Sequence, residues 1–390
     1  MSPRLVRCVW GLIVVLAGCT SATAPATPLP ATATPAATAP ATPLPGTPAA
    51  TGSPSMTAPA TPTTTATATA TPSPTTTPAL PATPEWQELG SAVGPAARED
   101  HTWTVSGDGA TAYLFGGRAG QREFNDLWRY DLAADSWLEL EPQGEPPAAR
   151  FGHTAVWVAD VGLVVWSGQA GPRFFSDIWA YDPQADSWAE LPSAGDVPPA
   201  RYGSCAATGP DGRMWISHGF TEDTGRFADT RAYDFRAGSW ADLTVEGTRP
   251  VERCLHDCLW TQDGRFVVYA GQTTGAPAIG DLWSLDEHSG AWTQAPPPEP
   301  QPRQLYALAQ LGGQAYVFGG GASDGAALDD LWRLDLAGLG WSAVEAGGET
   351  PAGRFGATLI ADEPRGRLLL FGGKRGNAEL GDVWQLALSP

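Results

Sequence analysis

From Trp86 to the C-terminus, short runs of aliphatic and aromatic residues alternate with turns rich in Gly, Pro and Asp. The runs are short enough, and rich enough in β-branched and aromatic residues, to be strands. One set of four covers Gly152 to Val158, Leu163 to Ser167, Ile178 to Tyr181 and Trp188 to Leu191. Tight two-residue hairpins are predicted at Asp108-Gly109, Asp211-Gly212 and Asp263-Gly264. The pattern predicts an all-β chain made of four-stranded antiparallel units.

This set of four runs recurs six times, with a period of about 51 residues. An Arg opens the first run of each repeat: Arg98, Arg150, Arg201, Arg253, Arg303 and Arg354. A Gly follows the second run, and it is paired with a second Gly in three of the six repeats. An Asp, an aliphatic residue and Trp begin the third run, except in the third repeat, which has Asp229-Thr230-Arg231. A Trp opens the fourth run: Trp86, Trp137, Trp188, Trp240, Trp292 and Trp341. A period near 50 is typical of propellers and arrays.

The two ends of the repeated region complement each other. The region begins with Trp86, which opens a fourth run, whereas the last repeat stops after Asp382 to Leu386 and has no fourth run of its own. We therefore predict that Trp86 to Leu89 completes the last unit. One N-terminal strand and three C-terminal strands would then close a ring and leave no open edge where first and last units meet.

The succession of Arg, Gly-Gly, Asp-Leu-Trp, Tyr-Asp and Trp resembles the kelch repeat, and the resemblance covers about 305 of the 390 residues. It implies a kelch-type β-propeller over residues 85–390, and the six repeats of this chain predict six blades with four antiparallel strands each. The resemblance also implies that a peptide ligand would bind at the loop face, which is the face used by kelch domains that bind peptides.

The first 84 residues differ in composition from the repeats. Arg4 and Arg7 precede a short apolar run, which predicts a signal peptide over residues 1–18. The run ends in a sequence that resembles a bacterial lipobox, which implies lipidation of Cys19; an ordinary secretory signal with a chance Cys is the alternative. Residues 19–84 are almost wholly Ala, Thr and Pro, which predicts a disordered linker. We expect an extracytoplasmic lipoprotein exposed at the cell surface.

Charge excludes one class of partner. All 42 acidic residues lie from Glu85 onward, and without Arg4 and Arg7 the 23 basic residues fall to 21, so the repeats carry about −21. A surface of that sign repels phosphate backbones and anionic headgroups. We expect no nucleic acid partner, membrane contact only through the lipid anchor, and a monomer.

Three cysteines lie within the repeats, in a compartment expected to be oxidising: Cys205, Cys254 and Cys258. Cys205 and Cys258 occupy similar depths in neighbouring first strands with opposite parity, so their side chains either face each other or both point away. A Cys205–Cys258 disulfide is therefore one of two open possibilities. Cys254 and Cys258 are too far apart along one strand to bond, at about 13 Å.

Candidate ligand-binding residues lie at the face where the repeated Arg and Asp begin their strands. Six guanidinium groups near one axis repel by about 2 kcal/mol per pair at about 8 Å and need compensation. Either each Arg pairs with an Asp or a loop carbonyl, or some of them receive an anionic or polar ligand. The dissimilar loops between second and third strands add residue types favoured at interfaces, unless they are ordinary surface: Arg122, Phe124, Arg173, Phe174, Phe175, Arg226 and Phe227.

No catalytic or metal-binding set emerges. His101, His153 and His256 share one repeat position, which indicates a structural role, and Asp324, Asp329 and Asp330 match no Ca²⁺ loop. Galactose oxidase, a kelch copper enzyme, needs two Tyr, two His and a Tyr–Cys crosslink that we cannot match here. We therefore predict a non-catalytic module that binds a protein or glycan without a cofactor. A sugar-active enzyme resembling a sialic acid epimerase is the alternative.

Overall fold

The computed structural model describes residues 83–91, 93–297 and 299–388. The predicted signal peptide, the lipidation site Cys19 and nearly all of the predicted linker lie outside these residues. The described residues form strands, turns and one 3₁₀ turn at Glu363–Arg365, so the all-β prediction is confirmed. None of their helices is long and apolar enough to cross a membrane.

The strands form six units, each with four antiparallel strands in the sequence of the repeat. Unit 1 contains Thr102–Val105, Thr111–Phe115, Leu127–Asp131 and Ser136–Leu140. Unit 2 contains Thr154–Val158, Gly162–Trp166, Ile178–Asp182 and Ser187–Glu190. Unit 3 contains Cys205–Thr208, Met214–Ser217, Thr230–Asp234 and Ser239–Asp242.

The long second and third strands distinguish units 4 and 5. Unit 4 contains Asp257–Trp260, Arg265–Thr273, Ala276–Asp286 and Ala291–Gln294. Unit 5 contains Ala307–Leu311, Gln314–Ala322, Ala327–Asp335 and Gly340–Ala343. Unit 6 contains Thr358–Asp362, Arg367–Phe371, Val383–Ala387 and, from the other end of the repeated region, Glu85–Leu89. Glu85–Leu89 pairs antiparallel with Val383–Ala387, and Trp86 lies opposite Leu386.

The loops between first and second strands are longer than predicted. Ser106 pairs with Thr111 across Asp108-Gly109, and the Asp108 carboxylate accepts the N–H of Ala110. Three-residue loops contain Asp211-Gly212 and Asp263-Gly264. The prediction of two-residue hairpins is therefore wrong. It took the Asp-Gly pair as the whole loop, whereas each loop also includes neighbouring residues.

Aromatic contacts join successive units. At five of the six junctions, an aromatic residue one or two positions before the repeated Gly packs against the Trp that opens the fourth strand of the next unit. Phe115 lies 5.2 Å from Trp188 between ring centroids, and Phe371 of unit 6 lies 5.4 Å from Trp137 of unit 1. The same contact joins Trp166 to Trp240, Tyr269 to Trp341 and Phe318 to Trp86. The repeated Trp therefore belongs to the packing between units.

A circle of backbone hydrogen bonds joins the residues two positions after each repeated Arg. Each of these residues donates its N–H to the carbonyl of its counterpart in the preceding unit, and unit 1 donates to unit 6. The bonds are 2.8–3.1 Å long and join Asp100, Gly152, Gly203, Leu255, Leu305 and Gly356. All six residues have positive φ, which for Leu255 and Leu305 is an uncommon conformation. We call this circle the backbone ring.

Candidate functional site

The six repeated arginines, which we call the framework arginines, all make one set of contacts. Arg150 donates from Nη1 and Nη2 to the two carboxylate oxygens of Asp177, both at 2.8 Å. Its Nη1 also donates to the Ser167 carbonyl, and its Nε donates to the Ala148 carbonyl. The other five pairs are Arg98–Asp126, Arg201–Asp229, Arg253–Asp281, Arg303–Asp330 and Arg354–Asp382.

These contacts correct the expectation that some framework arginines receive a ligand. All six side chains are at most 1% exposed. Burial alone would raise the pKa of the Asp177 carboxyl, but the hydrogen bonds and charge of Arg150 outweigh it and lower that pKa. A buried guanidinium that already makes two bonds to a carboxylate is not available to a ligand. The other interpretation, in which each Arg pairs with an Asp and a carbonyl, describes the geometry.

The Trp of the Asp-aliphatic-Trp mark has a role that sequence reasoning missed. The indole Nε1 of Trp179 donates to Asp177 Oδ2 at 2.9 Å, and the same bond recurs at Trp128, Trp283, Trp332 and Trp384. In unit 3, where the mark departs from the repeat, Arg231 Nε donates to Asp229 Oδ2 at 2.9 Å instead. In unit 3, Arg therefore replaces Trp as the hydrogen-bond donor to the Asp. The sequence signal for this role was that the donor residue lies two positions after the Asp in every unit.

The aromatic residues of the variable loops divide between the core and the surface. Phe124 is buried, with Arg98 4.0 Å from its ring centroid and Arg122 4.7 Å from it, so Phe124 is a packing residue and not the ligand contact we expected. Phe175 lies between Arg150 and Arg173 at 4.1 and 4.6 Å in the same way. Phe227 lies 3.8 Å from Arg201.

Other candidates in these loops remain accessible. Arg122 and Arg173 are exposed, and Phe174 and Arg226 are half-buried. Phe174 packs edge-on against Phe220, and Arg226 donates to the side-chain oxygen of Gln272 in the next unit.

Around the axis, the residues that follow the framework arginines and the repeated Gly form a surface that we call the mouth. One half of it contains a charged cluster. Glu99, 2% exposed, contacts Arg118 Nε at 3.2 Å and Lys374 Nζ at 3.1 Å. Asp100 Oδ2 lies 3.1 Å from Arg118 Nη2. Lys374 also contacts Glu379 at 3.3 Å. We call Glu99, Asp100, Arg118 and Lys374 the mouth cluster.

Asp100 is the least compensated member of the mouth cluster. Neither of its carboxylate oxygens accepts a directed hydrogen bond from a described residue, although Arg118 is within ion-pair distance. Burial, and then the charge of Glu99, raise the pKa of Asp100 to about 7. The pKa of Asp177, which pairs with a framework arginine, is lowered instead.

Aromatic side chains are concentrated on the unit 1 to unit 3 side of the mouth. Arg118 lies 4.2 Å from the ring centroid of Phe151, and Tyr202 packs against both Phe151 and Phe220. Arg226 lies 5.5 Å from the Phe220 centroid. The equivalent positions in units 4 to 6 carry Cys254, Gln272, Gln304, Gly321, Phe355 and Lys374. The mouth is therefore aromatic and Arg-rich on one side and mainly small and polar on the other.

Below the backbone ring lies a cavity of about 270 Å³, which we call the axial cavity. The first strands of all six units contribute to its lining, together with the ring residues. Two carboxyls line it, Asp100 at the ring and Asp257 in unit 4. Desolvation raises the pKa of Asp257 to about 7.

Cys205 and Cys258 are joined by a disulfide between units 3 and 4, with their Cα atoms 5.6 Å apart, and Cys254 is a buried free thiol. His101, His153 and His256 occupy equivalent buried positions at the axial cavity. Burial lowers the pKa of each imidazole, for His153 to about 3, so all three are neutral. Within the described ranges, no three His, Cys, Asp or Glu side chains are grouped so as to hold a metal ion.

Comparisons with known proteins agree with this architecture. A family model described as the KLHDC2/KLHL20/DRC7 Kelch-repeats domain matches residues 81–264 and 239–389. Kelch domain-containing protein 10 of Xenopus tropicalis is 27% identical over 241 residues, which are 58% of this chain and 57% of that protein. Rab9 effector protein with kelch motifs of Xenopus laevis is 28% identical over 192 residues, which are 47% of this chain and 52% of that protein. The chain thus spans about half the length of these relatives.

Proposed function

The chain belongs to the kelch-repeat family, and from this premise we propose that residues 85–390 form a closed six-bladed propeller whose mouth binds a protein partner without catalysis. The backbone ring supports six blades in one circle, because its hydrogen bonds return from unit 6 to unit 1. The pairing of Glu85–Leu89 with Val383–Ala387 supports closure by one N-terminal and three C-terminal strands.

The observation that carries the binding proposal is the uneven distribution of side chains in the mouth and in the variable loops beside it. Accessible Arg122 and Arg173, with half-buried Phe174 and Arg226, are all in the variable loops of blades 1 to 3. Arg and aromatic side chains dominate the binding energy of protein interfaces. Because guanidinium groups match carboxylates, we infer a partner segment that carries Asp or Glu beside an apolar residue. A relative named as a Rab9 effector gives a precedent within the family for a protein partner.

The test is a peptide and glycan array screened with the purified full-length protein, followed by titration of the bound ligand. Arg122→Ala and Arg173→Ala should each weaken binding by about tenfold, which corresponds to about 1.4 kcal/mol. Arg236 is exposed in the loop after a third strand, at the opposite end of its unit. Arg236→Ala is therefore the matched control and should leave affinity within about twofold.

Two outcomes would contradict this proposal. Binding of glycans alone would replace the protein partner with a sugar. Turnover of sialic acids, or of primary alcohols with added copper, would replace the binding module with the sugar-active enzyme that is its alternative. Pairing of all six framework arginines favours the binding module, since an epimerase-like site would use free arginines to hold a carboxylate.

We also propose that this module is carried on a lipid anchor at Cys19, outside the cytoplasm and exposed at the cell surface. The basic residues, the short apolar run and the lipobox-like sequence before Cys19 support this proposal. Mass spectrometry of the mature N-terminus should find Cys19 with a diacylglyceryl thioether on its sulfur and an acylated amine. An unmodified Cys19, or cleavage elsewhere, would contradict it.

A further inference from the structure

The axial cavity is elongated along the first strands. It follows them from the level of Asp100 to that of Thr104, which is about 13 Å at the rise of a β-strand. Its volume of about 270 Å³ is enough for a small organic molecule or a few waters.

The lining supplies acceptors and negative charge. It includes Asp100 and Asp257 but no Lys or Arg among the described residues. Neutral His101 and His256 add ring nitrogens without a hydrogen-bond partner among the described residues. Hydroxyls of Thr102, Thr154 and Thr358 also belong to the lining. Each neutral imidazole offers one donor and one acceptor, so the negative charge of the carboxyls is what distinguishes the occupants of this cavity.

Asp257 has no donor from its neighbours. The Tyr306 hydroxyl is adjacent, but it accepts the backbone N–H of Asp257 and donates its single proton to the Tyr269 carbonyl at 2.6 Å. No ion pair reaches the Asp257 carboxylate from the described residues. Asp100, which is 8% exposed, has the Arg118 contact on its mouth side and no directed hydrogen bond from a described residue. Both carboxyls are therefore open to a cationic donor.

We propose that the axial cavity binds a linear alkyldiammonium ion, with Asp257 receiving one ammonium group and Asp100 the other. The two carboxyls lie on opposite sides of the backbone ring, three units apart, and they differ in depth by two residues, about 7 Å along the strands. A diamine that reaches both carboxyls therefore spans the width of the cavity as well as this difference in depth. Each ammonium has three donors for the carboxylate and nearby acceptors, and its charge compensates a desolvated carboxylate. A neutral diol lacks the charge, and no described group of three ligands favours a metal.

The experiment is calorimetric titration of full-length protein with 1,4-diaminobutane, with 1,4-butanediol and Ca²⁺ as separate arms. We expect saturable binding of one diamine per chain and none of the diol or Ca²⁺. Asp257→Asn should weaken diamine binding by about thirtyfold or more, because it removes one member of a buried charge pair. Asp324 is exposed at the tip of a variable loop, so Asp324→Asn is the control of equal charge and should bind as the wild type does.

Asp257→Asn should fold at least as stably as the wild type without diamine, because it replaces a desolvated carboxyl with a neutral group of the same shape. Thermal unfolding checks this point. Absence of saturable diamine binding would overturn the proposal in favour of a water-filled cavity. So would equal binding of the diol, equal affinity in Asp257→Asn, or binding of Ca²⁺ alone. None of these outcomes bears on a partner at the mouth.

Discussion

The framework arginines and the mouth cluster meet in the sequence at Arg98 and Glu99, but the charges of the two sets are compensated in different ways. Each framework Arg meets one carboxylate through two directed bonds and adds bonds to carbonyls, and this arrangement occurs six times. The mouth cluster occurs once, and Asp100 within it has an ion-pair contact without a directed hydrogen bond. Charges satisfied within the repeat maintain the fold, whereas charges left incompletely satisfied identify where a ligand can act.

The pKa values of two aspartates express this difference. Contacts with Arg150 lower the pKa of Asp177 against the effect of burial, so folding favours its anion. Burial and Glu99 raise the pKa of Asp100 to about 7, so folding disfavours its anion. One substitution, Asp to Asn, should therefore have opposite effects at the two positions.

The largest effect is expected for Asp177→Asn. It leaves the fully buried guanidinium of Arg150 without its carboxylate, and breaking a buried pair from one side costs about 3–5 kcal/mol. Urea unfolding at neutral pH should show this loss as a lower midpoint with an unchanged slope. Asp182→Asn, an exposed change at the other end of the same strand, is the control and should stay within about 0.5 kcal/mol.

The second prediction is that Asp100→Asn raises the unfolding free energy at pH 8 by about 1 kcal/mol or more. Asn tolerates the positive φ of this position, 56°. A carboxyl whose folded-state pKa is raised keeps its proton in the folded protein where the unfolded chain has lost it. Wild-type stability therefore falls as pH rises from about 4 to about 7, and the advantage of the variant grows over that window. A loss of stability as large as that of Asp177→Asn would end the distinction between the two sets.

Repetition is what made the framework predictable. Six copies of Arg, Gly, Asp and Trp in register indicate that these residues serve the architecture, and the strand Glu85–Leu89 lies where the complementary ends placed it. Pairing of each Arg with an Asp or a loop carbonyl was one of the two interpretations left open by the need to compensate six like charges near one axis. Unit 3 has Arg231 in place of the Trp, and Arg231 donates to Asp229 as the Trp donates to the Asp in the other units.

The mouth cluster could not be predicted in this way. Glu99 and Lys374 are 275 residues apart, and each is unique to its repeat position. Their contact depends on the curvature that brings unit 6 beside unit 1, which no local pattern encodes. Asp257 was equally hidden, because its repeat position holds Thr, Cys or Ala in the other units. One signal was available: Lys374 is the only lysine among the 390 residues, in a chain that otherwise uses Arg.

The third prediction concerns the second hydrogen-bond donor to the framework aspartates, and its expected effect is smaller. Trp179→Phe keeps most of the aromatic surface but removes the indole donor to Asp177, and Arg231→Met removes the corresponding donor to Asp229. Trp179→Phe loses one hydrogen bond to a carboxylate and should lower the unfolding free energy by about 1–2 kcal/mol. Arg231→Met loses the bond to Asp229 together with a bond to the Asp196 carbonyl and an ion pair with Asp242, so its loss should be at least as large. Urea unfolding of both variants measures the two losses. A loss at only one site would mean that the departure in unit 3 has another cause.

The smallest effect is expected for Lys374→Met, which keeps the aliphatic length of the side chain and removes its charge. Lys374 is 20% exposed, and Glu99 retains its contact with Arg118 after the change. A partly solvated ion pair contributes about 0.2–1 kcal/mol, and the variant should lose no more than that in urea unfolding. A loss of about 3 kcal/mol would place Lys374 with the framework arginines. If stability holds while affinity for the mouth ligand falls, the charge of Lys374 serves binding, as its single occurrence in the chain indicates.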